Sequence, residues 1–510
     1  MLEISLYTIQ VIPATALVCL FLAAFARLFF LSLSKILRFV SRKNLLFGLD
    51  TLYQDFRDLH HHNSSNRALS RHDTHGHTYT SSILGHNSIH TIDPENILAV
   101  TTGNFGDYEK GDWARTVAKY MGEGVLVNDG PKWHASRTLL KPLFRRNRAA
   151  DVKMFEPHAD HLIQHIKRQQ GANVDFRRAA QMAILDITTE MLTGNSTLSL
   201  NKSEIDAGRK NNNASQGPDL LDLIDELEPY GNTSIELGIF ALPILVLRYQ
   251  RIMALIRGIQ GFFKTAIDNM LAKRRDISGE TREDSSTIEE MLGQDMKPSE
   301  VQGALQNIFF AAFDTTTALI ANVFDCIARQ AEILKRLQAE LATVVGNKPL
   351  TEADIPRLTY LKATIFETLR LHSPVTYHTR RARVNTVLPR GGGPDGQSSL
   401  FVPRGTAVIW STYALNRQAE IYGPDWEEFR PERWFTGDGP GATFQTKDAF
   451  MPFGSGARNC LGQQFAMLEV SYIIARVLSA FECFVIEDIP FLEAAAVTHY
   501  NGRGTHIKFH

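Results

Sequence analysis

The segment MPFGSGARNCLGQQFAM, Met451 to Met467, most narrows what this chain can become. Gly454, Gly456 and Gly462 surround a single cysteine, Cys460, and an apolar helical pattern follows. Glycine permits tight turns and a close approach of backbone to a neighbour. A cysteine at the entry of a helix meets backbone N–H groups and the positive end of the helix dipole, and both favour a thiolate. A lone cysteine is otherwise a small buried hydrophobe. Only Cys19, Cys326, Cys460 and Cys483 occur in 510 residues, too scattered for a disulfide framework. Such usage suits a catalytic domain in a reducing compartment.

A second constraint sits at the N-terminus. LYTIQVIPATALVCLFLAAFARLFFLSL, Leu6 to Leu33, contains one charge, Arg27. A helix of about 20 apolar residues spans a bilayer. Lys35, Arg38, Arg42 and Lys43 follow, and positive charge marks the cytoplasmic side. The expectation is an anchor in residues 1–43, spanning about 7–31, with residues 44–510 as a cytosolic catalytic domain. A cleaved signal peptide is the competing reading, against which stand the long run and the missing basic n-region. Net charge is −1, so no overall field favours nucleic acid.

Residues 44–95 are polar and histidine-rich, a composition that can bind metal but more often marks a solvated surface, and the end of the tract reads as a hairpin turning at Gly85 and Asn87. Long helical patterns dominate from about residue 110 onward. Polar breaks at 196–219 and 274–300 read as an insertion and a linker, and 388–409 reads as turns and short strands. The run LGIFALPILVL, 237–247, is too short to span; it reads as a buried helix or a second contact with the membrane surface. The fold class expected is mainly α with a smaller β part.

Further motifs carry chemistry. Phe453, Gly456, Arg458, Cys460 and Gly462 fit F-x-x-G-x-R-x-C-x-G at every fixed position. FETLR places Glu367 and Arg370 on one helix face, and FRPERW adds Arg433. Either they form an ordinary surface pair, or they are a buried set that must satisfy itself. NIFFAAFDTTTALIANVF, 307–324, is an apolar helix interrupted by Asp314 and Thr315. WHASR sets Trp133 and Arg137 one turn apart, donors suited to a carboxylate or an aromatic–cation pair.

Together these residues resemble the cytochrome P450 family. The resemblance covers roughly residues 90 to 510, and "LPRGGGPDG", "VPRGTAVIWSTYALNR" and "CLGQQFAMLE" are most similar to its fungal alkane and fatty-acid hydroxylase branch. It implies that Cys460 is the axial ligand of haem b. Arg458, Trp133, Arg137 and Arg380 would hold the propionates, with Phe453, Gly456 and Gly462 shaping the loop. Ala311, Ala312, Asp314 and Thr315 would form the oxygen groove, with Thr315 and Asp314 catalytic. Ala312 departs from the usual glycine, implying a tighter groove. Glu367, Arg370 and Arg433 would be structural support. The missing proline-rich hinge after the anchor, where SRKNLLFG stands, leaves the orientation on the membrane less constrained.

The activity implied is monooxygenation of a lipophilic C–H bond, in an alkane or fatty acid or in a polyketide or terpenoid intermediate of specialised metabolism. Dioxygen would be co-substrate. No flavin or nicotinamide motif is present, so electrons would come from NADPH through a separate reductase, with cytochrome b5 as a further partner, at the endoplasmic reticulum membrane. The basic cluster Lys141, Arg145, Arg146 and Arg148 reads as a solvated face or as a docking patch for that reductase. A haem-thiolate isomerase or dehydratase acting on a peroxide is the alternative; the retained Asp314–Thr315 pair argues against it, and against a non-catalytic haem sensor.

Overall fold

The computed structural model describes residues 48–510 apart from 84, 112–113, 115–116, 119–120, 146–147, 201–218, 238–245, 277–285, 295, 438–442, 446–447, 488 and 495–497. The anchor, most of the polar insertion and most of the 237–247 run lie outside the described residues, as do the side chains of Arg145, Arg146 and Arg148.

The chain opens on α1 (Leu49–His60) and α2 (Ser64–His75). Both fall in the tract read as a solvated surface. One of its histidines turns inward instead: His72 is 5% exposed, with Nδ1 3.1 Å from the Gly76 carbonyl oxygen. The hairpin β1 (Thr78–Ile83) to β2 (His86–Thr91) is present, but Asn87 lies within the second strand, opposite Ser82. Gly85, at φ +81°, supplies the turn.

β1 and β2 join β8 (Ala407–Ser411), β5 (Tyr377–Ala382) and β3 (Tyr108–Glu109) in a five-stranded sheet of order β1-β2-β8-β5-β3, with β2 and β8 parallel. β6 (Thr386–Gly392) and β7 (Ser398–Val402) form a separate hairpin, as the 388–409 turns predict. β4 (Val174–Asp175), β9 (Phe484–Ile486) and β10 (His506–Phe509) make a third sheet.

Helices build the rest: α3 (Gly130–Leu140), α4 (Arg148–Arg168), α5 (Phe176–Thr193), α6 (Leu220–Leu237), α7 (Tyr249–Asp276), α8 (Pro298–Ile327), α9 (Ala331–Val344), α10 (Thr359–Leu371) and α11 (Gln463–Ala480). α5 is buried almost all round and accordingly central. Asp175 starts it by accepting from the Arg178 N–H at 3.2 Å, and Gly194, at φ +72°, ends it.

α8 begins with Pro298 in its first turn, and Glu300 reaches back to the Lys297 N–H at 3.1 Å. Phe324 of α8 packs on Phe176 of α5 with ring centroids 4.3 Å apart, and Phe309 packs on Phe263 of α7 at 5.4 Å. α8 is the one helix among the described residues long and apolar enough to cross a membrane, but 72% of its apolar window is buried inside the protein. It is the core helix of an α+β fold, as expected.

Candidate active site

The residues singled out by the sequence lie on three pieces of structure: the Cys460 loop, a group of cations beside it and one stretch of α8. The first is the loop. Gly454 and Gly456 have φ of +71° and +67°, and a Cβ at Gly456 would stand 1.9 Å from the Thr101 carbonyl oxygen, so only glycine fits there. Gly462 is different: its φ is −86° and its nearest neighbour would be a Phe144 ring carbon at 3.6 Å. The Cys460 N–H donates to the Phe453 carbonyl at 2.9 Å and closes the loop. α11 then starts at Gln463, as its pattern predicts.

Cys460 keeps solvent-accessible surface although the chain closes round it and desolvates its thiol. Both hold if the sulfur faces an internal cleft. Burial pushes the thiol up; a bond from the Gly462 N–H and the Arg137 charge oppose the rise without cancelling it. The expectation of a lowered pKa from backbone and helix dipole alone is thus corrected: desolvation outweighs them. A metal centre would complete the deprotonation, since a coordinating thiol loses its proton to the ion's charge.

The second piece is a ring of cations. Arg458 donates to the Asn128 carbonyl at 3.0 Å and pairs with Asp129 at 2.5 Å, while its Nη1 is buried without a hydrogen-bond partner. Trp133 is 7% exposed and its indole lies against Arg458, 4.4 Å from ring centroid to guanidinium carbon. Arg137 turns the other way, donating to the carbonyl and side-chain oxygens of Asn459. The aromatic–cation pair expected within WHASR is therefore made by Trp133 with Arg458.

Arg380 of β5 donates to the Thr379 carbonyl at 2.7 Å. Burial and then the neighbouring Arg458 lower its pKa to about 10. Burial, Arg380 and Arg458 push Lys110 well below the usual lysine range as well. Asp129 is the single acidic group that offsets either of these shifts. Cations crowded this way, with a buried unpartnered guanidinium nitrogen, suit added carboxylates. The ring fits a haem bearing two propionates. Lys110, Asp129 and Asn459 join the site without any local sequence signature.

The third piece is one stretch of α8. Most of the helix is buried, yet Phe310, Ala311, Ala312, Asp314 and Thr315 keep partial exposure in one stretch near its middle. Thr315 Oγ1 donates back to the Ala311 carbonyl at 2.6 Å. Asp314 points elsewhere: its Oδ2 accepts from Thr498 Oγ1 at 2.6 Å, and burial raises its pKa.

Glu367, Arg370 and Arg433 stand behind the loop. Glu367 and Arg370 are fully buried. Glu367 accepts from Arg370 Nε and Nη2 at 2.9 and 2.7 Å, from Arg433 Nε at 2.8 Å and from the Trp434 indole at 3.0 Å. The surface-pair reading is therefore excluded. An outer cleft of about 630 Å³ between α9 and α10, lined in part by Ile333, Arg336, Tyr360 and Glu432, contains none of these residues and is not the site.

The family model described as Cytochrome P450 matches residues 52–496. "Cytochrome P450 monooxygenase himC" of Aspergillus japonicus is 32% identical over 480 residues, covering 92% of this chain and 83% of that protein. "Cytochrome P450 52A5" of Candida maltosa is 32% identical over 405 residues, covering 78% and 76%. "Cytochrome P450 52A3-A" of the same yeast is 33% identical over 401 residues, covering 77% and 75%. With the fold and the loop geometry, these matches establish that the chain belongs to the cytochrome P450 family and is a haem-thiolate monooxygenase that uses dioxygen.

Proposed function

We propose that the protein hydroxylates a C–H bond of a long-chain alkane or fatty acid, using electrons delivered from NADPH by a separate reductase. Residues 1–43 anchor it in the endoplasmic reticulum membrane, and residues 44–510 work on the cytosolic side. The observation that supports the chemistry is the glycine-shaped Cys460 loop with the cations Arg458 and Arg137 beside it, and the reading adds the Thr315 stretch of α8. The substrate class rests on the likeness of "LPRGGGPDG" and "CLGQQFAMLE" to the alkane and fatty-acid hydroxylase branch. Val246, Leu247 and Tyr249, exposed at 49%, 47% and 62%, favour a second contact with the membrane at the end of the 237–247 run.

Haem, held in this site, supplies the iron chemistry that activates dioxygen and inserts one of its atoms into the substrate. Cys460 would hold the haem iron through its thiolate, and Arg137 would steady the loop through Asn459. Arg458, Arg380, Lys110 and Trp133 would hold the propionates. Ala311 and Ala312 keep the helix face low, so that reactants fit beside it. Thr315 releases its bond to the Ala311 carbonyl and offers its hydroxyl proton into the cleft. Asp314 restores that proton from its carboxyl oxygen. Phe453 and the packed helices exclude bulk water.

Thr315→Ala is expected to keep haem while diverting electrons into peroxide, raising peroxide per NADPH several-fold. Unchanged coupling in that variant would remove Thr315 from the mechanism. For the substrate, hexadecane and hexadecanoic acid are expected to shift the ferric spectrum at micromolar levels. A shift only with terpenoid or polyketide extracts would replace the proposed class.

A further inference from the structure

The Asp314 carboxyl is held from outside its own helix. The donor, Thr498, is 3% exposed and lies in the loop between β9 and β10, far from every motif. That loop is itself fixed to α8. Asn322 Nδ2 donates to the His499 carbonyl at 2.9 Å, and Asn501 Nδ2 donates to Asp325 Oδ1 at 3.4 Å. The Thr498 hydroxyl therefore has a defined position relative to the helix that bears Asp314.

Arg177 of α5 closes the same corner. Its guanidinium carbon lies 3.7 Å from the centroid of the Tyr500 ring, and its Nε and Nη2 are buried without hydrogen-bond partners. The Tyr500 hydroxyl donates to Glu228 Oε1 of α6 at 3.4 Å. Arg177, Tyr500 and Glu228 are thus the titratable and charged groups facing this corner from α5, the loop and α6. α11 brings Glu469 against Thr316 instead, and among the described residues Arg177 is the charge that acts on Asp314. Burial disfavours an Asp314 carboxylate; the Thr498 hydroxyl and the Arg177 charge both favour it.

We propose that Thr498 is a positioning residue for the monooxygenase reaction: its hydroxyl, assisted by the Arg177 charge, fixes the Asp314 carboxyl at the edge of the cleft and stabilises it once its proton has left. The inference rests on the reading of Asp314 as the residue that restores the Thr315 proton. In that step an O–H bond of Asp314 breaks and one at Thr315 Oγ1 forms, as Thr315 passes its own proton to reduced dioxygen in the cleft. The carboxylate left behind is held by Thr498 and Arg177 until it takes a proton from solvent. Without the hydroxyl, the carboxylate is less stable and the side chain is free to turn.

The test uses the ferric holoprotein as wild type, Thr498→Val, Thr498→Ser and Asp314→Asn. Infrared difference titration identifies the Asp314 carboxyl band as the one missing from Asp314→Asn. Thr498→Val, nearly isosteric, is expected to move the midpoint of that band upward by about one pH unit, because a hydrogen bond to a charged group is worth roughly 1.5–3 kcal/mol. With NADPH and a P450 reductase, Thr498→Val is also expected to raise peroxide per NADPH several-fold. Thr498→Ser, which keeps the hydroxyl, should match wild type in both.

An unmoved midpoint in Thr498→Val, or a Thr498→Ser that behaves like valine, overturns the proposal. Unchanged peroxide in Asp314→Asn overturns the reading of Asp314 itself. Raised peroxide in Asp314→Asn with none in Thr498→Val overturns only the role of Thr498.

Discussion

Replacing Glu367 by glutamine is expected to destabilise the protein by about 3–5 kcal/mol, the cost of leaving buried charge uncompensated. The carboxylate accepts from two nitrogens of Arg370, from Arg433, from the Trp434 indole and from the Arg430 N–H. An amide offers one oxygen and turns an NH2 group toward donors. Arg370 then remains buried with no counter-charge, and Arg433 keeps only Asp425, at 3.4 Å.

The damage would travel. Arg370 also donates to the carbonyls of Asn416, Trp426 and Glu428, and Arg433 to those of Tyr422 and Asp425. These bonds shape the segment that leads into the cysteine loop, and Trp434 packs on Phe450 with centroids 4.5 Å apart. Such a loss is a large part of a typical stability of about 5–15 kcal/mol. Soluble yield and haem content should both collapse, and any folded fraction should show a much lower urea midpoint. A midpoint shift worth less than about 0.5 kcal/mol would mean that the network is dispensable.

How legible was this site? Residues bound by short spacing were readable. Cys460 with its glycines, and Glu367 with Arg370, lie within a few positions of one another, where turn and helix geometry fix relations directly. The core helix α8 was equally plain, because a long apolar stretch broken by Asp314 and Thr315 has few places to go.

Contacts that cross the chain were not readable. Thr498 reaches Asp314, and Asp129 reaches Arg458, through tertiary folding alone. Lys110 joins the cation ring because β3 pairs with β5 beside Arg380. No local pattern announces such meetings. Trp133 found Arg458 rather than Arg137 because the cysteine loop packs over α3, a relation that spacing within WHASR cannot express. His72 shows the opposite limit: polar composition suggested solvent, and packing between α2 and the first hairpin overrode it, with Tyr79 edge-on at 5.1 Å.

The second large effect concerns the sulfur itself. Cys460→Ala removes one atom facing the cleft and leaves the loop backbone, closed by the Cys460 N–H bond to the Phe453 carbonyl, able to form as before. The protein should therefore fold, yet lose the thiolate proposed to hold the haem iron. Neither other described cysteine is placed to substitute: Cys326 is buried in α8, and Cys483 lies beyond α11. The deciding measurement is the reduced, carbon monoxide-bound spectrum of wild type, Cys460→Ala, Cys326→Ala and Cys483→Ala. A thiolate-type band in all except Cys460→Ala is the predicted result. A thiolate-type band that survives in Cys460→Ala would contradict the account.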